Sequence, residues 1–305
     1  MPVLQIENLQ IAYPGANDPL VVADDIDIQI NAGESMGLLG ESGCGKTSIA
    51  LGIMRLLPPQ ARLSGQIWLK GQNLLSLPDQ EMQRIRGKQI AMIFEQPATC
   101  LNPLMTVGDQ ISEVFQFHAS YSSKASKRET IELMGRLGID APEKRYRHYP
   151  HEFSGGMMQR IMIAMALALK PALLIADEPT TALDVTIKAQ IVQELKDTLA
   201  RMNTSLLLIS HDLGIAAHLC DRVAVMYGGM IVELGSRRQI LITPRHPYTR
   251  ALLDAARGQE DQLIDQDVYR LSKGCRFYPQ CPERQSVCQE TTPAMQNGVR
   301  CFLAH

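Results

Sequence analysis

Apolar and polar positions alternate over residues 3–13 (VLQIENLQIAY) and again over 24–30 (DDIDIQI), the pattern of strands with one buried face. MGLLG (36–40) is a short apolar run that enters a glycine-rich turn. KTSIALGIMRLL (46–57) is apolar on a helical period, and Pro58–Pro59 should end that helix. GQIWLKG (65–71) predicts another strand, and QIAMIFEQP (89–97) a buried strand closed by its proline. Residues 106–145 read as helix, interrupted by a polar loop at SYSSKASK (120–127). LLIADEP (173–179) and TSLLLIS (204–210) predict buried strands, and RVAVMYGGMIVELG (222–235) a hairpin turning at Gly228–Gly229. Strands alternating with helical stretches predict an α/β core, here with a helical insertion near 98–160. Past Thr243 the composition shifts, and Pro244, Pro247 and a cysteine-rich tail mark a small separate module.

Length and charge narrow the classes. A chain of 305 residues suggests two domains at about 150 residues each. Lys and Arg number 30 against 32 Asp and Glu, so no global charge favours nucleic acid or a membrane surface. The N-terminus MPVLQIENLQIAYPG lacks the features of a signal peptide. The most apolar stretch, IMIAMALALKPALLIA, is broken by Lys170 and Pro171, short of the ~20 apolar residues a membrane span needs. The expectation is a soluble cytosolic protein with reduced thiols. Four of its seven cysteines nevertheless gather at the end, Cys275, Cys281, Cys288 and Cys301, in the pattern C-x5-C-x6-C-x12-C. In a reducing compartment these read as metal or cluster ligands rather than disulfides. The spacing lacks the close pairs usual for zinc, and by itself leaves zinc, an iron–sulfur cluster and unliganded thiols open.

The sharpest chemical signal is GESGCGKT: Gly40, Glu41, Ser42, Gly43, Cys44, Gly45, Lys46 and Thr47, with Ser48 following. It fits G-x-x-x-x-G-K-[ST] between a predicted strand and a predicted helix. Glycines let backbone N–H groups converge on a β-phosphate, and the helix start adds positive potential. Lys46 would reach the β- and γ-phosphates, and the Thr47 hydroxyl would ligate Mg²⁺. Cys44 reads as a small residue the loop tolerates, although the helix start could lower its thiol pKa and open it to thiol reagents. Asp177 and Glu178 end the strand LLIADEP. Asp177 would hold Mg²⁺ through its water shell, and Glu178 would act as general base on the attacking water. HEFSGGMMQRIMIAMALAL (151–169) starts an apolar helix at Ser154, Gly155 and Gly156.

In this order the motifs resemble those of ATP-binding-cassette (ABC) ATPases over most of residues 3–240. SGGM stands at the family's signature sequence, TALD (181–184) at its D-loop, and ISHD (209–212) supplies a switch histidine, His211. Tyr13 sits where the family stacks an aromatic ring on adenine. The resemblance implies an α/β P-loop NTPase of the ABC type, with a mixed-sheet core, an antiparallel β subdomain and a helical subdomain. On that division residues 1–242 form the ATPase domain, with the helical subdomain at about 98–160, and 243–305 form a C-terminal extension. It also implies that two cassettes close head to tail over two ATP molecules. Ser154, Gly155 and Gly156 of one would face the γ-phosphate bound by Lys46 of the other. Asp184 would help join the two sites, and His211 would contact the γ-phosphate. Where the family usually has a glutamine touching Mg²⁺, this chain has Glu95, followed by Gln96. Either Glu95 sits at the metal and retunes hydrolysis, or a one-residue shift presents Gln96.

HPYTRALL (246–253), GCRFYPQCP and the later cysteines resemble the C-terminal extension of the oligopeptide/dipeptide/nickel importer branch. That resemblance implies a [4Fe–4S] cluster on the four cysteines, with zinc as the alternative. It implies two transmembrane permease subunits, a second and similar ATPase subunit, and an extracytoplasmic binding protein. The ATPase would lie peripherally on the cytoplasmic face of the inner membrane. Peptides are the expected cargo, nickel or a metal chelate the alternative. A soluble cassette ATPase acting outside transport is the competing class; it often carries two cassettes or a long coiled insertion, and this chain has neither.

Overall fold

The computed structural model describes residues 2–15, 18–180, 184–258 and 273–303. The chain divides into two units, Met1–Ser76 with Leu208–His305, and Leu77–Leu207. The first opens with strands β1 (Pro2–Tyr13), β2 (Leu20–Asn31) and β3 (Ser35–Leu39), helix α1 (Lys46–Met54), and strands β4 (Arg62–Leu69) and β5 (Gln72–Asn73). β2-β1-β4-β5 form an antiparallel sheet. Along β1 Leu4 and Ile6, then Leu9 and Ile11, are fully buried, with Val3 and Ala12 buried at the two ends, so the alternation changes parity between Ile6 and Leu9. Asn8 at φ 48 and a register shift against β2 between Ile6 and Leu9 absorb the extra residue. Without that bulge one of the two apolar pairs would turn to solvent.

α1 ends earlier than its prolines suggest. Arg55 turns left-handed at φ 50, and the Leu56 N–H closes back onto the Leu51 carbonyl at 2.8 Å. This six-to-one closure satisfies the last carbonyls, so the helix stops at Met54 without help from Pro58.

The second unit holds α2 (Asp79–Ile85), β6 (Ile90–Ile93), α3 (Pro97–Cys100), α4 (Val107–Ala119), α5 (Ser123–Arg136), α6 (Pro142–Arg145), α7 (Gly155–Leu167), β7 (Leu173–Asp177) and α8 (Val185–Met202). The unit boundary crosses β8 (Ser205–Ser210). β6 and β7 pair in parallel, with Ile90 opposite Leu173 and Ile93 opposite Ala176. The expected strand at 89–97 therefore stops at Ile93, and Glu95 and Gln96 lie in an exposed connection before α3. The expected polar loop at 120–127 is shorter than its composition suggests. The Ser122 side chain accepts from the Ala125 N–H and starts α5 inside it. α8 carries no expectation above. Its apolar positions Ile191, Val192, Leu195 and Leu199 are all buried, an i, i+1, i+4, i+8 stripe of helical period. Buried polar groups also join the helices. The Ser112 hydroxyl meets those of Thr130 and Tyr146, each at 2.9 Å. Arg160 of α7 donates to the Leu137 carbonyl and to Glu194 of α8.

The chain re-enters the first unit with α9 (Leu213–Leu219), β9 (Arg222–Tyr227), β10 (Met230–Ser236), α10 (Arg237–Ile242), α11 (Pro247–Ala256) and α12 (Ser286–Glu290). β9 and β10 form the expected hairpin, with Gly228 and Gly229 at φ 53 and 85 as a primed turn requires. β9 also pairs in parallel with β3, which makes this sheet mixed. The cysteine-bearing tail has little regular structure, and hydrogen bonds fasten it to the unit. Val299 bridges antiparallel to Glu233, the Leu234 N–H donates to the Gly298 carbonyl, and the Arg300 N–H donates to the Val232 carbonyl. Two arginines reach adjacent aspartates of β2, Arg276 to Asp24 at 2.7 Å and Arg300 to Asp25 at 2.8 Å. Among the described residues no helix is long and apolar enough to cross a membrane.

Candidate functional site

The turn between β3 and α1 is built as a phosphate cradle. Gly40 has φ 154, and a Cβ there would lie 2.2 Å from the Met226 carbonyl oxygen. A Cβ on Gly45, at φ 103, would meet the Val22 carbonyl oxygen at 2.0 Å. Only glycine fits either place. Gly43 faces open space. Lys46 is buried, and its ammonium donates to the Gly40 and Glu41 carbonyls at 2.8 and 2.7 Å. These carbonyls keep a buried cation satisfied until stronger acceptors arrive, such as phosphate oxygens. Ser42 and Thr47 are exposed at the mouth of the loop. Tyr13 is half-buried, and its hydroxyl lies 3.2 Å from that of Ser48.

Cys44, read above as a small residue the loop tolerates, does not gain the lowered thiol pKa that the helix start could have given it. It is buried, and burial raises its pKa despite the opposing pull of Lys46. Desolvation outweighs the neighbouring ammonium, so the loop thiol is protected rather than activated. Burial also raises the pKa of Glu41, again against Lys46.

In the second unit Asp177 closes β7 and is buried, and Glu178 follows half-buried at φ 46. A left-handed glutamate is unusual and carries backbone strain of the kind found at functional positions. Ser154 is the N-cap of α7, with no capping hydrogen bond from its side chain. Ser154 and Gly155 are exposed, and Gly156 is half-buried. The start of this helix therefore faces outward with its hydroxyl available. Thr181, Ala182 and Leu183 lie outside the described residues. Asp184 accepts from the Thr186 and Ile187 N–H groups and caps α8. Back in the first unit, His211 is exposed after β8, and the adjacent Asp212 caps α9 through the Gly214 and Ile215 N–H groups.

One contact to the loop has no counterpart among the sequence motifs. The Glu41 N–H donates to the hydroxyl of Tyr248, which is fully buried at the start of α11. HPYTRALL contains this tyrosine, but nothing in its spacing predicts which part of the chain it meets.

Cys288 and Cys301 are buried, Cys275 and Cys281 half-buried. The Cys275 N–H donates to the Cys288 carbonyl at 2.7 Å. Burial pushes the Cys275 thiol up to about 11, and the other three thiols add like-charge repulsion. Cys275 thus lies within electrostatic reach of Cys281, Cys288 and Cys301. Among the described residues, however, no group of three or more His, Cys, Asp or Glu is drawn together as ligands of one metal ion.

Residues 23–181 match the ABC transporter family. The chain belongs to that family. Residues 232–288 match a second family, the oligopeptide/dipeptide transporter C-terminal region. This ABC transporter chain is 42% identical to the dipeptide transport ATP-binding protein DppD of Bacillus subtilis, covering 99% of this chain and 94% of that protein. It is 40% identical to the oligopeptide transport ATP-binding protein OppD of Salmonella typhimurium, covering 95% and 89%. Among solved structures, the dimeric post-hydrolysis state of the ATP-binding cassette MJ0796 bound to ADP and Pi matches with a TM-score of 0.69 at 25% identity. That match covers 77% of this chain and 99% of that one. As an ABC ATP-binding subunit the protein is an ATPase, for which ATP and Mg²⁺ are the expected ligands.

Proposed function

We propose that this chain is one of the ATPase subunits of a peptide importer. The cassette alone would leave the cargo open. The match of residues 232–288 to the oligopeptide/dipeptide transporter C-terminal region carries the assignment, and near-full-length identity to peptide-transport ATPases supports it. Two permease subunits would span the membrane, a binding protein would deliver peptide from outside, and a second, similar ATPase would pair with this one. The chain would sit peripherally on the cytoplasmic face, with its helical region receiving the permeases.

In this reading the loop from Gly40 to Ser48 binds the phosphates of ATP, and Tyr13 meets the adenine. Lys46 exchanges its two loop carbonyls for phosphate oxygens. Thr47, Asp177 and Glu95 are the residues that would hold Mg²⁺, which when bound neutralises phosphate charge. Glu178 takes the proton of the attacking water, and His211 helps place that water. The outward-facing Ser154, Gly155 and Gly156 complete the partner cassette's site, where the start of α7 brings its positive potential to the γ-phosphate. Asp184 joins the two sites. Hydrolysis removes the group that both subunits hold, so the closed pair is favoured only while ATP is intact. Cys275, Cys281, Cys288 and Cys301 would carry a [4Fe–4S] cluster that staples a tail too small to fold on its own core.

The test is reconstitution with the cognate permeases and binding protein. ATP hydrolysis should rise with peptide-loaded binding protein, and Ser154→Ala or Gly156→Asp in this subunit should lower it at least tenfold. Stimulation by a nickel chelate but not by peptide would overturn the cargo, and full activity of both variants would overturn the shared site. Anaerobic purification should give a brown protein absorbing near ~400 nm. Colourless protein with stoichiometric zinc would refute the cluster.

A further inference from the structure

The Gly40–Glu41 peptide is gripped on both sides. Its carbonyl accepts from Lys46 Nζ at 2.8 Å, and its N–H donates to the Tyr248 hydroxyl at 3.3 Å. The tyrosine arrives from 207 residues further along the chain and has little freedom to move. Its ring lies 4.4 Å from that of Tyr227 and 5.6 Å from that of Phe277, centroid to centroid. Its backbone N–H donates to His246 Nδ1 at 3.0 Å. The turn just before it is held in turn, because the buried Glu233 carboxylate accepts from the Arg245 and His246 N–H groups. Phe277 is buried and belongs to the cysteine-bearing tail, two residues after Cys275. Arg276 beside it is anchored to Asp24 and to the Gly228 carbonyl. An unbroken line of contacts therefore runs from the docked tail through Phe277 and Tyr248 to the peptide whose carbonyl directs Lys46.

A glycine-rich loop has many conformations, and each one lost on binding weakens affinity. A peptide fixed in advance reduces that loss. We infer that Tyr248 is a positioning residue for phosphate binding, holding the Gly40–Glu41 peptide so that Lys46 is already aimed, and that Phe277 makes the tail part of that hold. The inference rests on the nucleotide reading above and adds a residue outside the cassette motifs to it.

Tyr248→Phe removes one oxygen atom and keeps the ring packing, so the variant should fold and melt like the parent. Binding of Mg·ATP to the purified full-length chain, read by displacement of a fluorescent nucleotide, should weaken about three- to tenfold, the range for one lost hydrogen bond. In the assembled transporter KM for ATP should rise while kcat at saturation stays near the parent value, the signature of lost uniform binding. Phe277→Leu should shift ATP affinity in the same direction with the Tyr248 hydroxyl intact. Lys46→Ala is the control that separates the two readings. If it binds ATP like the parent, the nucleotide reading itself has failed. If it loses ATP while Tyr248→Phe binds as tightly as the parent, Tyr248 positions nothing. Parent-like affinity in Phe277→Leu would remove the tail from the hold.

Discussion

Glu233 offers a direct measure of how firmly the C-terminal region is fixed to the cassette. It is 1% exposed in β10, and its two carboxylate oxygens accept separately, Oε1 from the Arg245 N–H at 2.8 Å and Oε2 from the His246 N–H at 3.0 Å. Glu233→Gln keeps the shape but has only one acceptor oxygen. Its amide group would face the other N–H donor to donor. Relief from burying a charge works in the opposite sense. The carboxylate, however, sits beside the start of α11, where N–H dipoles favour it, so the lost acceptor decides the sign. One buried N–H left unsatisfied costs about 1–3 kcal/mol. A global melt of a chain with two units would blur that cost. Amide hydrogen exchange of peptides spanning residues 245–256 reads it locally. At 1.4 kcal/mol per factor of ten, protection there should fall about 5- to 140-fold, while peptides from α4 and α5 keep theirs. Unchanged exchange over 245–256 would mean that the turn is held by something other than this carboxylate.

Three further outcomes are expected. Burial, with help from the Arg250 cation and against a hydrogen bond to the Arg300 backbone, lowers the His246 pKa from 6.5 to about 3. The unfolded chain then binds a proton the native one does not, so stability present above pH 6.5 is lost as pH falls toward 3, by about 2 kcal/mol at pH 5. Urea midpoints at pH 7 and pH 5 should differ less for His246→Asn, which can still cap α11; an unchanged difference would refute this. Iodoacetamide should label the exposed Cys100 well before the buried Cys44 and Cys220, the last pushed up to about 12 by burial; mass spectrometry showing Cys44 labelled first would count against the protected loop. Glu95→Gln should change ATPase activity and its Mg²⁺ dependence in the assembled transporter, since a carboxylate near the phosphates repels them unless metal is bound; identical Mg²⁺ titrations would place Glu95 away from the metal.

What the sequence made legible was whatever rests on short-range constraint. The cradle from Gly40 to Thr47 could be read because its glycines answer a local steric demand, seen in the 2.0 and 2.2 Å approaches at Gly45 and Gly40. The hairpin at Gly228–Gly229 was legible for the same reason. Misreadings arose where two local signals competed. Pro58 looked like the end of α1, but the left-handed Arg55 had already ended it. Ser122 was read as part of a polar loop, although the same hydroxyl that favours a loop also starts a helix. Cys44 was open in one respect only: the helix start could have lowered its pKa, and burial, which depends on the folded surroundings and not on the loop motif, raises it instead. Contacts such as Tyr248 with Glu41, or Arg300 with Asp25, join distant segments with no shared motif, so no periodicity announces them.

The short bridge between Val299 and Glu233 has a practical consequence. β10 is the last strand of its sheet, and residues 298–300 occupy its outward hydrogen-bonding groups. A chain cut at residue 258 would leave that row of donors and acceptors bare beside Met230, Ile231 and Val232, inviting other strands to add on. It would also strip Asp24 and Asp25 of their arginines. Such a truncation would be expected to clump, and its inactivity would report on a raw sheet border rather than on the chemistry of the missing cysteines.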